Sequence, residues 1–315
     1  VNRGTKAALV VLGIAVAAAP FWVALTIPLE KFEAPKTPAA PASVLTDLAR
    51  WDAATPASRR AAAEDVARRL PDFVLSRMET FSCGGQAHEV AIYAHAKTGM
   101  EFVLVPVGTF VMGAPKGEAG RDEAEAQHTV TLTGPFLICR TECTQAAFER
   151  VTKTNPSAFK GSGNPVDSVS WNGAAKFCAE TGLELPSESQ WEWACRAGMP
   201  PSPSDADRAA LAALGWFAVD SGETTHPVGE KQQSALGLHD MLGNVCEWCA
   251  DGYGAYPAQP VSDPTGDEAS KWRVSRGGAW CSPPKFVRAA ARFGHDAGNR
   301  TNEIGFRPAK TVPME

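Results

Sequence analysis

Residues 237–251, Gly237-Leu238-His239-Asp240-Met241-Leu242-Gly243-Asn244-Val245-Cys246-Glu247-Trp248-Cys249-Ala250-Asp251, carry the densest chemistry in the chain. Asp240 and Glu247 flank a turn at Gly243-Asn244, a dipeptide that readily takes positive φ. Such a turn can aim the carbonyls of Gly243 and Val245 the same way as the two carboxylates. Four converging oxygens suit a hard cation such as calcium. The same residues also describe a structural loop capped by a buried Trp248, with its acids in solvent. The spacing is not that of an EF-hand, so spacing alone favours the plain loop.

Two further motifs change that balance. One is Leu185-Pro186-Ser187-Glu188-Ser189-Gln190-Trp191-Glu192-Trp193-Ala194-Cys195-Arg196-Ala197-Gly198. The other is Arg276-Gly277-Gly278-Ala279-Trp280-Cys281, followed by Ile304-Gly305-Phe306-Arg307. In this order and at these separations the chain resembles the formylglycine-generating enzyme (sulfatase-modifying factor) family from Gly99 to Pro308. The resemblance implies an α+β fold, a C-type-lectin-like formylglycine-generating-enzyme core rich in irregular structure.

The family's active members oxidise a substrate cysteine with oxygen, using two cysteines that hold copper(I), a soft ion that prefers thiolates. Cys281 sits near the first of these and is the catalytic candidate. The second is absent from Ser282-Pro283-Pro284-Lys285-Phe286-Val287-Arg288, Ala279 replaces the motif serine, and Cys246 replaces a tryptophan. A lone thiolate cannot give two-sulfur coordination unless Cys246 or Cys249 reaches in. A disulfide from Cys281 to either is the more expected outcome in an exported chain. Cys178 and Cys195 match family cysteines whose partner positions here are Ala289 and Pro308, so they are expected free or paired with each other.

The cation site transfers better. Asp240, Gly243, Val245 and Glu247 match the family's calcium loop position by position, with Asp240 in place of an asparagine. A second family calcium site would lie near Trp216 to Thr225, with Asp220 as a candidate ligand. Arg307 is expected to hold a core carboxylate.

The whole chain sets the surroundings. At 315 residues it can bury a sizeable core. A net charge of −5 without a clustered basic face argues against nucleic acid. Nine tryptophans beside glycines and turns suggest a loop-rich fold pinned by aromatic anchors. The eight cysteines lack zinc-framework spacing. Ala7 to Leu29 is uncharged, mostly apolar and long enough to span a bilayer. Arg3 and Lys6 precede it, so residues 1–29 are expected to form an uncleaved N-terminal signal anchor, a transmembrane helix that leaves the rest exported. Residues 30–43 are a Pro/Ala-rich spacer.

Residues 44–98 are expected to form a helical accessory stalk and lead-in strand, and residues 99–310 the main domain. Thr55 and Pro56 open a helix whose apolar residues are mostly alanines, so weak docking is expected. Phe81 to Tyr93 reads as a strand, and His88 and His95 lack metal partners at useful spacing. Phe102 to Gly113 reads as two strands joined at Pro106–Gly108, and Phe136 to Cys143 as another, with Cys139 and Cys143 on one side. Helices are expected after Thr144, over 173–181, from Ser187 through a capping box to Gly198, and near 206–214.

Two functions remain. One is a membrane-anchored, exported formylglycine-generating-enzyme-like oxidoreductase acting on a protein cysteine, with an incomplete copper site. The other is a non-catalytic lectin-like module that binds a protein or glycan partner at the cell surface.

Overall fold

Three caps visible in the sequence start three helices as expected. Thr55 Oγ1 accepts from Ser58 N and opens α2 (Pro56–Arg69). Thr144 opens α3 (Gln145–Thr152). Ser187 opens α5 (Glu188–Ala197) with both halves of a capping box, Gln190 reaching back to the Ser187 N–H. These come from a computed structural model that describes residues 44–199 and 208–313. The expected anchor and spacer, 1–43, lie outside the described residues. Among the described residues, no helix is long and apolar enough to cross a membrane.

The largest sheet has five strands in the order β1-β2-β3-β6-β12: β1 (Phe73–Cys83), β2 (Gln86–His95), β3 (Glu101–Val105), β6 (Phe136–Cys139) and β12 (Ala309–Thr311). Its neighbouring pairs are all antiparallel. A second sheet runs β10 (Arg292–Asp296), β9 (Trp272–Arg276), β7 (Cys246–Gly252), β11 (Ile304–Gly305). A third joins β4 (Thr109–Met112), β5 (His128–Thr131) and β8 (Val261–Ser262). Around them lie α1 (Leu48–Ala53), α2, α3, α4 (Trp171–Thr181), α5 and α6 (Arg208–Leu214). Helices and strands alternate irregularly, which makes this an α+β fold.

The segment before residue 99 is more built-in than its alanine-rich sequence suggests. β1 and β2 form a long hairpin through Gly84-Gly85, both at positive φ, and β2 pairs onto β3. Helix α2 buries Ala62, Ala63 and Val66. Small side chains let the helix backbone approach closely, and the Tyr93 hydroxyl donates to Ala63 O at 2.9 Å. Trp51 of α1 is fully buried, and its indole N–H donates to Glu89 O.

The strands expected at Phe102–Gly113 are present but do not pair with each other: β3 joins β2 and β6, and β4 joins β5. Pro106 and Gly108 turn the chain from one sheet to the next. The strand expected to reach Cys143 stops at Cys139. Beyond it Arg140 and Cys143 bond to Glu101 O and Phe306 O instead.

Candidate functional site

Strand β7 carries the motif, and its alternation sorts the side chains. Cys246 and Cys249 are three apart, so they face opposite sides of the strand. Cys246 joins the core cluster with Trp248, Ala279 and the half-buried Cys281, whereas Cys249 joins the other core cluster. All eight cysteines are free. The expected disulfide from Cys281 is therefore not formed, and Cys249 is on the wrong face to form one. Cys178 and Cys195 also lie in different clusters and do not pair.

Burial, followed by the Glu303 carboxylate, pushes the Cys281 thiol up to about 11. Burial, then Glu303, then Cys281 itself push the Cys246 thiol up further. Without a metal, both thiols therefore favour the protonated form, which is the poorer nucleophile. Around them stands an aromatic apron. Phe159 meets Trp280 edge-on at 5.3 Å, and Phe286 meets Phe293 at 6.0 Å. The Trp280 indole donates to Asn302 O at 3.0 Å. Nearer the surface, Arg273 lies over the Trp171 ring at 4.4 Å, next to the exposed Trp272. Two positive-φ glycines, Gly277 and Gly278, set the turn that presents Trp280 and Cys281; a Cβ on Gly278 would meet Phe286 O at 3.0 Å.

The acidic turn folds as the sequence requires. Asp240, Gly243 and Asn244 all take positive φ, at 54°, 83° and 57°. A Cβ on Gly243 would strike Trp216 O, so glycine is required there. Asn244 knits the turn together: its Nδ2 donates to Glu142 Oε2 at 2.8 Å, and its Oδ1 accepts from His226 N at 3.0 Å. Asp240 Oδ2 accepts from Gly229 N at 2.7 Å, while Oδ1 is buried without a hydrogen-bond partner among the described residues. Burial leads the shift of the Asp240 carboxyl, up to about 6.

Glu247 is held on both oxygens. Trp191 Nε1 donates to Oε2 at 2.7 Å, and Arg307 Nη2 donates to Oε1 at 2.7 Å. Arg307 thus holds a core carboxylate, as anticipated, and also donates to Cys139 O and His239 O.

Sequence reasoning missed Glu142. It is fully buried and accepts from Val245 N and Asn244, and burial together with Asp240 and Glu247 pushes its carboxyl well up. Its one signal was a carboxylate set beside Cys143 at the end of the Phe136–Cys143 stretch. Among the described residues, no three His, Cys, Asp or Glu side chains converge as a metal cluster. A cation here would therefore draw on the carbonyls of Gly243 and Val245 as well as on Asp240 and Glu247.

Asp220, the candidate for a second cation site, is otherwise engaged. Lys231 Nζ donates to its Oδ2 at 2.6 Å, and Phe217 N to its Oδ1 at 3.2 Å. The same ammonium donates to Ala212 O and lies 3.6 Å from the centre of the Trp216 ring, so a lysine already neutralises this carboxylate.

Residues 88–312 match the family model described as a sulfatase-modifying factor enzyme 1-like domain. The serine/threonine-protein kinase Pkn1 of Chlamydia trachomatis is 31% identical over 245 residues, which are 67% of this chain and 38% of that protein. The chain therefore spans well under half the length of that kinase. The formylglycine-generating enzyme of Thermomonospora curvata is 27% identical over 281 residues, 66% of this chain and 92% of that enzyme. The solved structure of PvdO from Pseudomonas aeruginosa superposes with a TM-score of 0.61 at 30% identity, covering 69% of this chain and 96% of that one.

Proposed function

The chain belongs to the sulfatase-modifying factor enzyme 1-like family, and on that footing we propose that its domain recognises a protein or peptide partner without oxidising it. The observation that carries this reading is that no second cysteine follows Cys281 in residues 282–288. The Cys281 thiol is pushed up to about 11 by burial and by Glu303. Its neighbour Cys246 is buried and held protonated more strongly still. A copper(I) centre takes two thiolates, and here the second would have to come from the buried Cys246, with loss of its proton. What remains is an aromatic apron of the kind that binds chains of mixed polarity.

The test is a copper(I) titration of the full chain with a Cys-x-Pro-x-Arg peptide present. Absence of aldehyde, with peptide retention unaffected by Cys281→Ser, is expected. Stoichiometric aldehyde that Cys281→Ser abolishes would overturn the reading. One observation favours the other reading, an exported oxidoreductase: Cys246 shares Cys281's cluster, where a second sulfur ligand would be wanted. The same titration decides between them. Retention of a glycan in place of the peptide would reassign the partner class.

We infer further that the acidic turn takes a structural calcium ion. Asp240 has an oxygen to spare, and Gly243 and Val245 supply carbonyls. Glu247, kept in place by Arg307 and Trp191, supplies further negative charge. When bound, such an ion would balance buried carboxylates. Calorimetric titration of chelator-treated chain should show calcium uptake that Asp240→Ala removes; no uptake by the wild type would refute the site. Residues 7–29 are proposed as a membrane anchor with the domain exported. Alkaline carbonate extraction of the full chain should leave it in the membrane fraction, and release into the supernatant would count against an anchor.

A further inference from the structure

A cavity of about 340 Å³ opens between the β2–β3 turn, the end of β6 and α3, away from the thiols and bordered by His239 next to the acidic turn. Its volume lies in the range of small-molecule sites. Arg140, Arg150, Glu101, Thr141, Met100 and His239 are among the residues that line it.

The charges there do not cancel. Among the described residues Glu101 is the one carboxylate lining the cavity, and it is already shared by two guanidinium groups: Arg77 Nη1 donates to its Oε1, and Arg140 Nη1 to its Oε2 at 2.7 Å. Arg140 is fixed from other directions as well. Its Nε donates to Gly237 O at 3.1 Å, and its guanidinium lies 5.2 Å from the centre of the Phe81 ring. Its Nη2 has no partner among the described residues. Arg150, exposed on α3, also lines the cavity and lies against Gly99. It uses only Nη1, on Thr98 O at 3.3 Å. Its Nε and Nη2 have no partner among the described residues.

The backbone of α3 is not the attraction. Gln145 N and Ala146 N are bonded to Asn164 O and Ser162 O, and Ala147 N to Thr144 Oγ1. His239 adds an acceptor. Its Nδ1 faces Lys231 O at 3.0 Å and so carries the proton, which leaves Nε2 bare in the neutral ring. Met100 and Ala147 add an apolar wall.

We propose that this cavity binds a small ligand bearing an oxyanion, a carboxylate or a phosphate, gripped between Arg140 and Arg150. Planar guanidinium groups with unused N–H donors match either oxyanion through paired hydrogen bonds. A positively charged concavity on a chain of net charge −5 is a local feature, not the drift of the whole surface.

The test is isothermal titration of the full chain with succinate in one arm and inorganic phosphate in the other, at low and at moderate salt. Saturable one-to-one binding in at least one arm is expected, and the arm that binds more tightly names the oxyanion. Arg150→Gln, an exposed change that leaves the fold alone, should weaken it about tenfold or more. Arg140→Lys should weaken it too, since it keeps the charge but loses the fork. Lys116→Gln, an exposed charge outside the cavity, should change nothing. No saturable binding in either arm, or equal loss with Arg150→Gln and Lys116→Gln, would overturn the proposal.

Discussion

Asp251 shows how a single buried acid sets a pH dependence. It is 3% exposed, and its Oδ2 accepts from Glu188 N. Burial, then the neighbouring Glu188 carboxylate, push its carboxyl from 3.8 to about 7. Arg292 opposes the shift, and Glu268 and Arg273 share its cavity. Below the lower value Asp251 is neutral in both the folded and unfolded chains. Between the two values the unfolded chain releases its proton while the folded chain keeps it. Stability from this residue therefore falls as pH rises through that window, and stays lower above it. Asp251→Asn should raise stability by about 1–3 kcal/mol at pH 8. The gain should shrink as pH falls towards 4, which thermal unfolding at a series of pH values checks. At Arg307 the logic is reversed. Its partner Glu247 is 1% exposed, so Arg307→Met would strand a buried charge at a cost of about 3–5 kcal/mol. Urea unfolding of Arg307→Lys should fall between that variant and the wild type. Of these two, Arg307 was legible beforehand, because an arginine next to a core aromatic residue usually holds a carboxylate. Asp251 was not, since its position depends on the start of α5, far away in sequence.

At the scale of elements, local chemistry could be read from the sequence and long-range pairing could not. The caps at Thr55, Thr144 and Ser187 are short-range signals, and each starts the helix it marked. The strands β3 and β4 were also visible, but their allocation to different sheets depends on β2 and β5, which no local pattern encodes. Helix α2 misled for a physical reason. Alanine is weakly hydrophobic by area, yet it allows an approach close enough for Tyr93 to bond to the backbone at Ala63. Trp51 is the larger anchor of the same region, fully buried with its indole N–H on Glu89 O. Trp51→Ala should cost about 3–5 kcal/mol, measured by denaturant midpoint at constant slope. A loss below 1 kcal/mol would mean that α1 is not part of the cooperative core. The candidate site divides the same way. The turn at Gly243-Asn244 and the acids flanking it were local, whereas Glu142 and the opposite facings of Cys246 and Cys249 emerged only once β6 and β7 were in place.

For the molecule as a whole, the question is where the folding unit begins. The family match starts at residue 88, inside β2. The residues before it nonetheless supply α1, α2 and β1, and all the described residues fall within one compact unit. β1 covers one edge of β2, while the other edge pairs Ile92, Tyr93 and Ala94 with Val103, Phe102 and Glu101 of β3. Deleting residues 44–85 would uncover the β2 edge and the apolar faces of Ala91 and Tyr93, which α2 and Trp51 help bury. An uncovered, largely apolar strand edge is a template for pairing with other chains. The shortened domain should therefore lose its cooperative calorimetric transition and associate at micromolar concentration, whereas a domain kept from residue 44 should melt in one step. A single sharp transition in the shortened domain within a few degrees of the longer one would place the start of the folding unit at the family boundary instead. β1 would then be a replaceable cover over β2.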